Sequence, residues 1–407
     1  MSSFMPRLIS VISALSLGML MAVLGPGSLK AQQGDADFQS WLAAFKQEAA
    51  AKGIRADTIE TAFAGVTPIA RVLEKDRSQR EFTLTFSGYM RSSVTESRVE
   101  RAQRLLQEHR GLLERVQAKY GVQPRFLVSF WGLESNFGDY TGGFSVIGAL
   151  ATLAHDTRRG AFFRSELLNA LQILDEGHIA AARMTGSWAG AMGQVQFIPS
   201  TFVNFAVDFD GDGRRDIWNS LPDIFASAAN YLSQEGWRGD ETWGREVLLP
   251  MGFDYGHASL KKRKPLNAWA EVHGLKQGNG GPLPRADLEA SLVLPAGHRG
   301  PAFLVYRNYR TILIWNRSIL YALAVGHLAD RIAGAPALAS LPEEKAISVR
   351  DIEEMQTLLN AKGYDAGEPD GLVGRRTRAA LSAYQRSVGE PADGHPTLEI
   401  LKLLRGQ

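Results

Sequence analysis

Cysteine is absent from all 407 residues. That excludes disulfides, thiolate metal sites, a cysteine nucleophile and a lipid anchor on an N-terminal cysteine. Net charge is nearly absent as well. Lys and Arg number 45 against 43 Asp and Glu, which leaves +2 and a pI near 8.7. So small an excess gives no global basic field for gathering nucleic acid. Past the N-terminus no apolar run is long enough to span a bilayer. Strand-like alternation is rare, and 245–249 and 302–306 are its better stretches. What remains is 45% hydrophobic and 22% charged, too apolar for a disordered chain.

Residues 1–31 have the three-part pattern of a secretory signal. Arg7 is basic with no acid before it, an apolar stretch runs over 8–24, and Gly25, Pro26 and Gly27 are expected to break any helix. Ser28 and Ala31 are small enough for cleavage ahead of a start near Gln32. An uncleaved anchor is the alternative, but the run is short for the ~20 residues a span needs. The mature chain is expected to be exported to the periplasm, soluble, and not a lipoprotein.

Helical periodicity dominates the chain beyond residue 37. In 38–51, Trp41, Leu42, Phe45 and Ala49 share a face. Further helices are expected over 96–120 (kinked at Gly111), 126–136, 162–176, 221–234 and 317–331. Over 261–301 the texture changes: the basic cluster Lys261, Lys262, Arg263 and Lys264, which reads as a solvated loop, is followed by Gly278, Gly280, Gly281, Pro282 and Pro284. Residues 334–346 read as a linker. The expected division is a catalytic region over 36–333, the linker, and a small helical module over 347–405.

Within the catalytic region, Pro124 suits a helix start and Gly138 its end. Leu127, Phe130, Trp131 and Glu134 then fall on one face. Glu134 sits on the apolar stripe near the helix C-terminus, where desolvation and the negative end of the dipole both disfavour its charge. A carboxyl that stays protonated near neutrality is what a general acid for glycosidic cleavage requires. A structural, paired glutamate explains the spacing equally well. Residues 186–200, GSWAGAMGQVQFIPS, tip the balance. Their glycines permit close approach of a bulky ligand, and the Gln196 amide offers a donor and an acceptor for hydroxyls or an N-acetyl group.

Glu134-Ser135-Asn136-Phe137-Gly138, the AGAMGQVQFIPS segment and the downstream DFDGDG together resemble the B-type lytic murein transglycosylases, glycoside hydrolase family 103. The resemblance covers about 37–331. It implies a mainly α, α+β fold: a lysozyme-like core with a helical N-terminal region. It also implies cleavage of the β-1,4 bond between N-acetylmuramic acid and N-acetylglucosamine, leaving a 1,6-anhydromuramoyl end. By motif, the resemblance makes Glu134 the single acid/base and Ser187 the hydroxyl that contacts its carboxyl. Gln196 becomes a saccharide-binding amide and Tyr231 a stacking tyrosine. Asn316, Tyr321 and, on a weaker match, Tyr89 complete the binding set. Trp315 stands where the family has tyrosine, a change expected to lose a hydrogen bond and keep stacking. Core packing is the alternative for each aromatic.

The Glu134 motif offers no clear second carboxylate; Asp139 is near but lies past the helix-ending glycine. A substrate-assisted route needs one carboxyl only, with the substrate N-acetyl group stabilising the anomeric centre. Hydrolysis by a true muramidase and a noncatalytic wall-binding scaffold are the rival functions.

Asp208, Asp210, Asp212 and Asp216 occupy loop positions 1, 3, 5 and 9 of an EF-hand-like run, with Gly213 at position 6 and the Arg214 carbonyl at 7. Position 12 is Asn219, where a bidentate Glu is expected. The resemblance supplies Asp223 as the closing ligand, one residue out of step. Oxygen-only ligands favour a structural Ca²⁺, against a loop of Asx turns with Asp223 as a cap. No cofactor is expected for the chemistry itself.

In the last segment an amphipathic helix from Val349 is followed by Asp370-Gly371, Gly374-Arg375-Arg376-Thr377 and Tyr384-Gln385. This resembles a three-helix peptidoglycan-binding domain over about 347–404. Eight basic and nine acidic residues in 347–405 argue against DNA. The expected partner is the glycan strand of peptidoglycan, with a structural cap as the alternative role.

Overall fold

The computed structural model describes residues 26–77 and 84–406. The expected signal lies mostly outside them. Of the expected break at 25–27, Pro26 and Gly27 are described and open α1.

The N-terminal half is helical. It comprises α1 (Pro26–Ala51), α2 (Ala56–Ala62), α3 (Ala70–Arg77), α4 (Phe86–Ser93), α5 (Glu96–Glu108), α6 (Arg110–Tyr120) and α7 (Pro124–Ser135). The long helix expected over 96–120 is two: the chain breaks at His109, not at Gly111, and His109 ends α5 and starts α6. The short strands β1 (Phe144–Ser145) and β2 (Thr185–Gly186) pair antiparallel around α8 (Val146–His155) and α9 (Gly160–Asp175). Next come α10 (Pro199–Phe205) and α11 (Leu221–Gln234). Their apolar faces merge into one large core with Phe38, Phe45, Phe126, Phe130 and Leu150 at its centre.

Lys261, Lys262 and Arg263 lie in a loop, as expected, and the region from Lys264 on is largely a sheet domain. After β3 (Gly244–Leu248) come β4 (Lys264–Pro265), α12 (Leu266–Glu271), β5 (Lys276–Gln277), β6 (Glu289–Val293) and β7 (Ala302–Val305). The strands form one antiparallel sheet in the order β4-β6-β7-β3-β5. Ser291 lies opposite Val305, and Arg245 opposite Leu304. β3 and β7 fall on the two stretches with strand-like alternation, 245–249 and 302–306, whereas β4 and β5 have two residues each, too few for alternation to show. A second core of Val247, Leu266, Trp269, Leu292 and Leu304 pins the sheet.

Two helices return to the main core, α13 (Arg307–Trp315) and α14 (Ile319–Ile332). The single helix expected from 317 is the second of these, opened by Ser318 accepting from Tyr321 N. The C-terminal module holds α15 (Val349–Ala361), α16 (Arg375–Ser387) and α17 (Leu398–Arg405) around its own small core of Met355, Leu359, Leu381 and Leu401. The segment between is no free spacer, since Leu338 and Leu341 pack on the main core.

The module is docked on the sheet domain through Asp393. Its carboxylate accepts from His298 N at 2.8 Å, pairs with His298 Nδ1 at 2.7 Å, and accepts from Gln385 Nε2 at 2.8 Å. Burial acts to raise the Asp393 carboxyl, but these donors and His395 N outweigh it and hold the group below the usual range. Asp393→Ala should therefore loosen the module, at ~1 kcal/mol or more for each buried bond lost. Trypsin cutting within 334–346 should accelerate relative to the native chain. An unchanged digestion rate would mean the Asp393 contacts do not hold the module.

Candidate active site

The α7 helix sets the position of Glu134. Pro124 occupies its first turn. Ser129 Oγ donates to Val325 O of α14 at 2.7 Å, which fixes the axial register of the two helices. The helix ends at Ser135, not at Gly138: Asn136 (φ 51°), Phe137 (φ 61°) and Gly138 (φ 86°) are left-handed in succession. Gly138 has a different duty from the expected one. A Cβ there would lie 2.4 Å from the Gln194 side-chain oxygen.

Gln194 accounts for that close approach. Its Oε1 accepts from Trp131 Nε1 at 2.7 Å, its Nε2 donates to Trp218 O at 2.8 Å, and its backbone N donates to Ile217 O at 2.9 Å. One side chain thus ties the catalytic helix to the end of the acidic loop. The glycines of 186–193 serve the same kind of packing, not only ligand access. Gly193 (φ 71°) is needed because a Cβ would sit 2.7 Å from Ile217.

Glu134 is half-buried, with its carboxyl enclosed by protein. Its Oε1 accepts from Trp315 Nε1 at 2.8 Å and from the Tyr321 hydroxyl. Burial pushes the carboxyl up to about 7, against the pull of the Tyr321 and Trp315 hydrogen bonds. The Tyr321 hydroxyl is raised well above its ordinary value by burial and by the neighbouring Glu134, so it stays a donor. The loss of a hydrogen bond expected at Trp315 does not occur: the indole N–H supplies the donor. Asp139 cannot act as a second acid. Arg101 binds both of its oxygens, at 2.5 and 2.9 Å, and holds it below the usual range.

The other sequence candidates divide. Tyr231 stacks on Trp315 with centroids 5.1 Å apart and planes 29° apart. Tyr89 lies on α4, which packs against α14 and so brings it toward Tyr321. Asn316 is exposed beside Trp315, its Oδ1 accepting from Ser318 N at 3.0 Å. Gln196 uses its amide hydrogens on Thr141 O and Gly193 O, leaving Oε1, an acceptor only, toward a ligand. Ser187 Oγ accepts from Ala189 N at 3.3 Å and Ala191 N at 3.0 Å rather than bonding Glu134, and its own hydroxyl hydrogen remains to donate. Three aromatics escaped sequence reasoning as site residues. Phe130 packs 4.5 Å from Trp315, Phe197 5.4 Å from it, and Phe205 stacks 4.5 Å from Tyr231. Only the adjacency of Phe197 to Gln196 and the stripe position of Phe130 hinted at them.

In the acidic loop, the carboxylates of Asp208, Asp210 and Asp212 come within 4.8 Å of one another. Arg214 is next in the loop, its N–H donating to Asp212 Oδ1 at 2.8 Å. Burial would raise Asp208, but backbone N–H groups of Gly213 and Gly211 outweigh it and keep the group low. That donor set, oxygen only and convergent, fits a hard divalent cation. Asp223 does not join the cluster. It is fully buried, and its two oxygens accept from Phe209 N at 2.7 Å and Asp216 N at 2.8 Å. It clamps the two ends of the loop.

Gln194→Leu should leave the Trp131 N–H and the Trp218 carbonyl without partners in the interior, at ~1–3 kcal/mol each. The expected result is a lower melting temperature together with slower turnover, since α7 loses its brace. A variant equal to the native chain in both would remove Gln194 from the support of the site.

Comparison with known proteins accords with this arrangement. Residues 37–330 match the family described as Transglycosylase SLT domain, and 348–404 match a peptidoglycan binding domain family. The chain is 31% identical over 251 residues to membrane-bound lytic murein transglycosylase B of Escherichia coli, a match covering 60% of this chain and 66% of that protein. The structure of SltB3 from Pseudomonas aeruginosa in complex with NAG-anhNAM-pentapeptide superposes with a TM-score of 0.88 and 49% identity, over 90% of this chain and 99% of that one. Slt35 of Escherichia coli, in a structure in complex with calcium, is 26% identical with a TM-score of 0.62, over 74% of this chain and 93% of its own. The chain belongs to the SLT family of lytic transglycosylases and carries a C-terminal peptidoglycan-binding domain.

Proposed function

We propose that this chain cleaves the β-1,4 bond between N-acetylmuramic acid and N-acetylglucosamine in peptidoglycan strands, with Glu134 as the single acid/base. The observation that carries this reading is a carboxyl held on one oxygen by Trp315 and Tyr321 and pushed up to about 7 by burial, while Asp139 stays ionised in its pair with Arg101. Both donors fall on Glu134 Oε1, so the acidic proton belongs on Oε2. Oε2–H protonates the glycosidic oxygen as the bond to C1 breaks, and the substrate N-acetyl oxygen bonds to C1. The carboxylate then takes the proton from the muramoyl C6 hydroxyl. O6 displaces the N-acetyl oxygen at C1, the 1,6-anhydro ring closes, and Glu134 is protonated again.

Tyr89 offers a face to a sugar ring, Trp315 and Tyr231, stacked on each other and packed on Phe130 and Phe205, meet sugars by their remaining exposed edges, Gln196 Oε1 accepts from a hydroxyl or amide, and Asn316 stands beside Trp315. The Trp315 indole can donate and never accept, so its bond strengthens as Glu134 ionises. Asp208, Asp210, Asp212 and the Arg214 carbonyl would hold Ca²⁺ as a structural ion, stiffening the loop that Gln194 joins to α7. The 347–405 module raises the local concentration of enzyme on an insoluble polymer. Residues 1–31 direct export, which puts the enzyme where its substrate is.

The products distinguish this reading from its rival. Digestion in ¹⁸O-water should give anhydromuramoyl ends free of the label. Labelled reducing ends would make the chain a hydrolase. Glu134→Gln should keep the fold and lose cleavage, because the amide cannot donate an acidic proton. It should also reveal the strain of the native acid. The folded value of about 7 lies above the ordinary 4.5, so the favourable contribution is present below 4.5 and lost as pH rises through 7. The variant should melt level with the native chain near about pH 4.5 and above it near about pH 8.5. Equal melting at both would contradict a buried, protonated Glu134.

For the cation, Asp208→Asn combined with Asp212→Asn should abolish any rise in melting temperature on adding Ca²⁺ to EDTA-treated protein, since a ligand of the folded state stabilises by mass action. No calcium-dependent rise in the native chain would rule out a structural ion in this loop.

A further inference from the structure

The short helix α4, which carries Tyr89, is held at both ends by other parts of the chain. At its N-terminus Ser87 N donates to Glu344 Oε2 at 2.7 Å, and Ser87 Oγ donates to Pro342 O at 2.7 Å. Ser87 is buried, so water is poorly placed to replace these partners. At the other end the Arg98 guanidinium donates to Ser92 O and Ser93 O and reaches Asn136 Oδ1 at 3.5 Å. Asn136 is the residue that caps α7, two positions past Glu134. A helix of eight residues has little stability of its own, so these anchors decide where it sits. One of the anchors comes from sequence far away. Glu344 and Pro342 lie beyond the catalytic family match, in a strap whose Leu338 and Leu341 are packed on the main core.

We infer that Glu344 is a positioning residue for glycan binding: the 338–344 strap fixes α4 and, through it, Tyr89 against α14, the helix that carries Tyr321. The inference rests on the reading of Tyr89 as part of the binding surface. It changes what the C-terminal part of the chain does. A pure tether adds local concentration on sacculi and leaves a short soluble glycan unaffected. A strap that places a binding residue acts on every substrate, short ones included, and acts on binding more than on proton transfer.

The test uses the full chain and a soluble GlcNAc–MurNAc oligosaccharide. Glu344→Ala should raise KM about fivefold, with kcat and the alkaline limb of the pH profile unchanged. Glu344→Gln keeps an oxygen that accepts from Ser87 N, and should return KM to within about twofold of native. Tyr89→Ala should raise KM by itself, and adding Glu344→Ala to it should change little, because both act through one residue. A native KM in Glu344→Ala while Tyr89→Ala is impaired would overturn the strap alone. Fully additive effects, or no rescue by Gln, would overturn it too. A native KM in Tyr89→Ala would remove Tyr89 from the binding surface, and the inference with it.

Discussion

Two donors on one oxygen of a desolvated carboxyl organise this molecule. Burial keeps Glu134 protonated near neutrality, while Trp315 and Tyr321 decide which oxygen keeps the proton. The two effects oppose each other. Burial alone would leave a neutral acid too weak to give its proton up, and the donors alone would leave an ordinary ionised glutamate. Their balance near 7 gives a group able to serve first as acid and then as base. Such a balance depends on position, and much of the remaining structure can be understood as holding position.

The supports reach Glu134 from several directions. Ser129 locks α7 against α14, so the Tyr321 hydroxyl and the carboxyl meet at a set height. Gln194 ties Trp131, one turn before the acid, to the acidic loop. Phe130, Phe197 and Tyr231 pack around the Trp315 ring and hold its indole N–H in place. Asp139, the nearest competing carboxylate along the chain, is removed from the chemistry by Arg101. The strap through Glu344 holds α4 as well, from the 334–346 segment that precedes the C-terminal module.

Much of this is legible in the sequence where the signal is local or periodic. The stripe Leu127, Phe130, Trp131 and Glu134 points to the buried acid, and the apolar spacing of 221–234 matches the observed helix at both ends. The features that escape are non-local. In the sheet β3 and β7 are visible as alternation, but the two-residue strands β4 and β5 leave no periodic signal. Ser187 and Asp223 have side chains well suited to a ligand, and both also accept from backbone N–H groups, which spacing cannot reveal. Trp315 shows the opposite error. Set against tyrosine it suggests a lost hydrogen bond, yet a longer ring places its own donor at the same carboxyl. Arg98 gives no signal, since a charged residue on an amphipathic helix reads as solvated until its partners are seen.

The central claim is that Glu134 holds its proton up to neutrality in the resting protein, before any substrate arrives. Direct titration tests this without relying on turnover. Side-chain carboxyl carbons of glutamate, labelled with ¹³C, can be followed by NMR in the native chain and in Glu134→Gln, and the resonance missing from the variant is that of Glu134. This resonance should titrate with a midpoint of about 7. A midpoint at the ordinary 4.5 would contradict the claim, because the carboxyl would then be ionised when the glycosidic oxygen needs its proton.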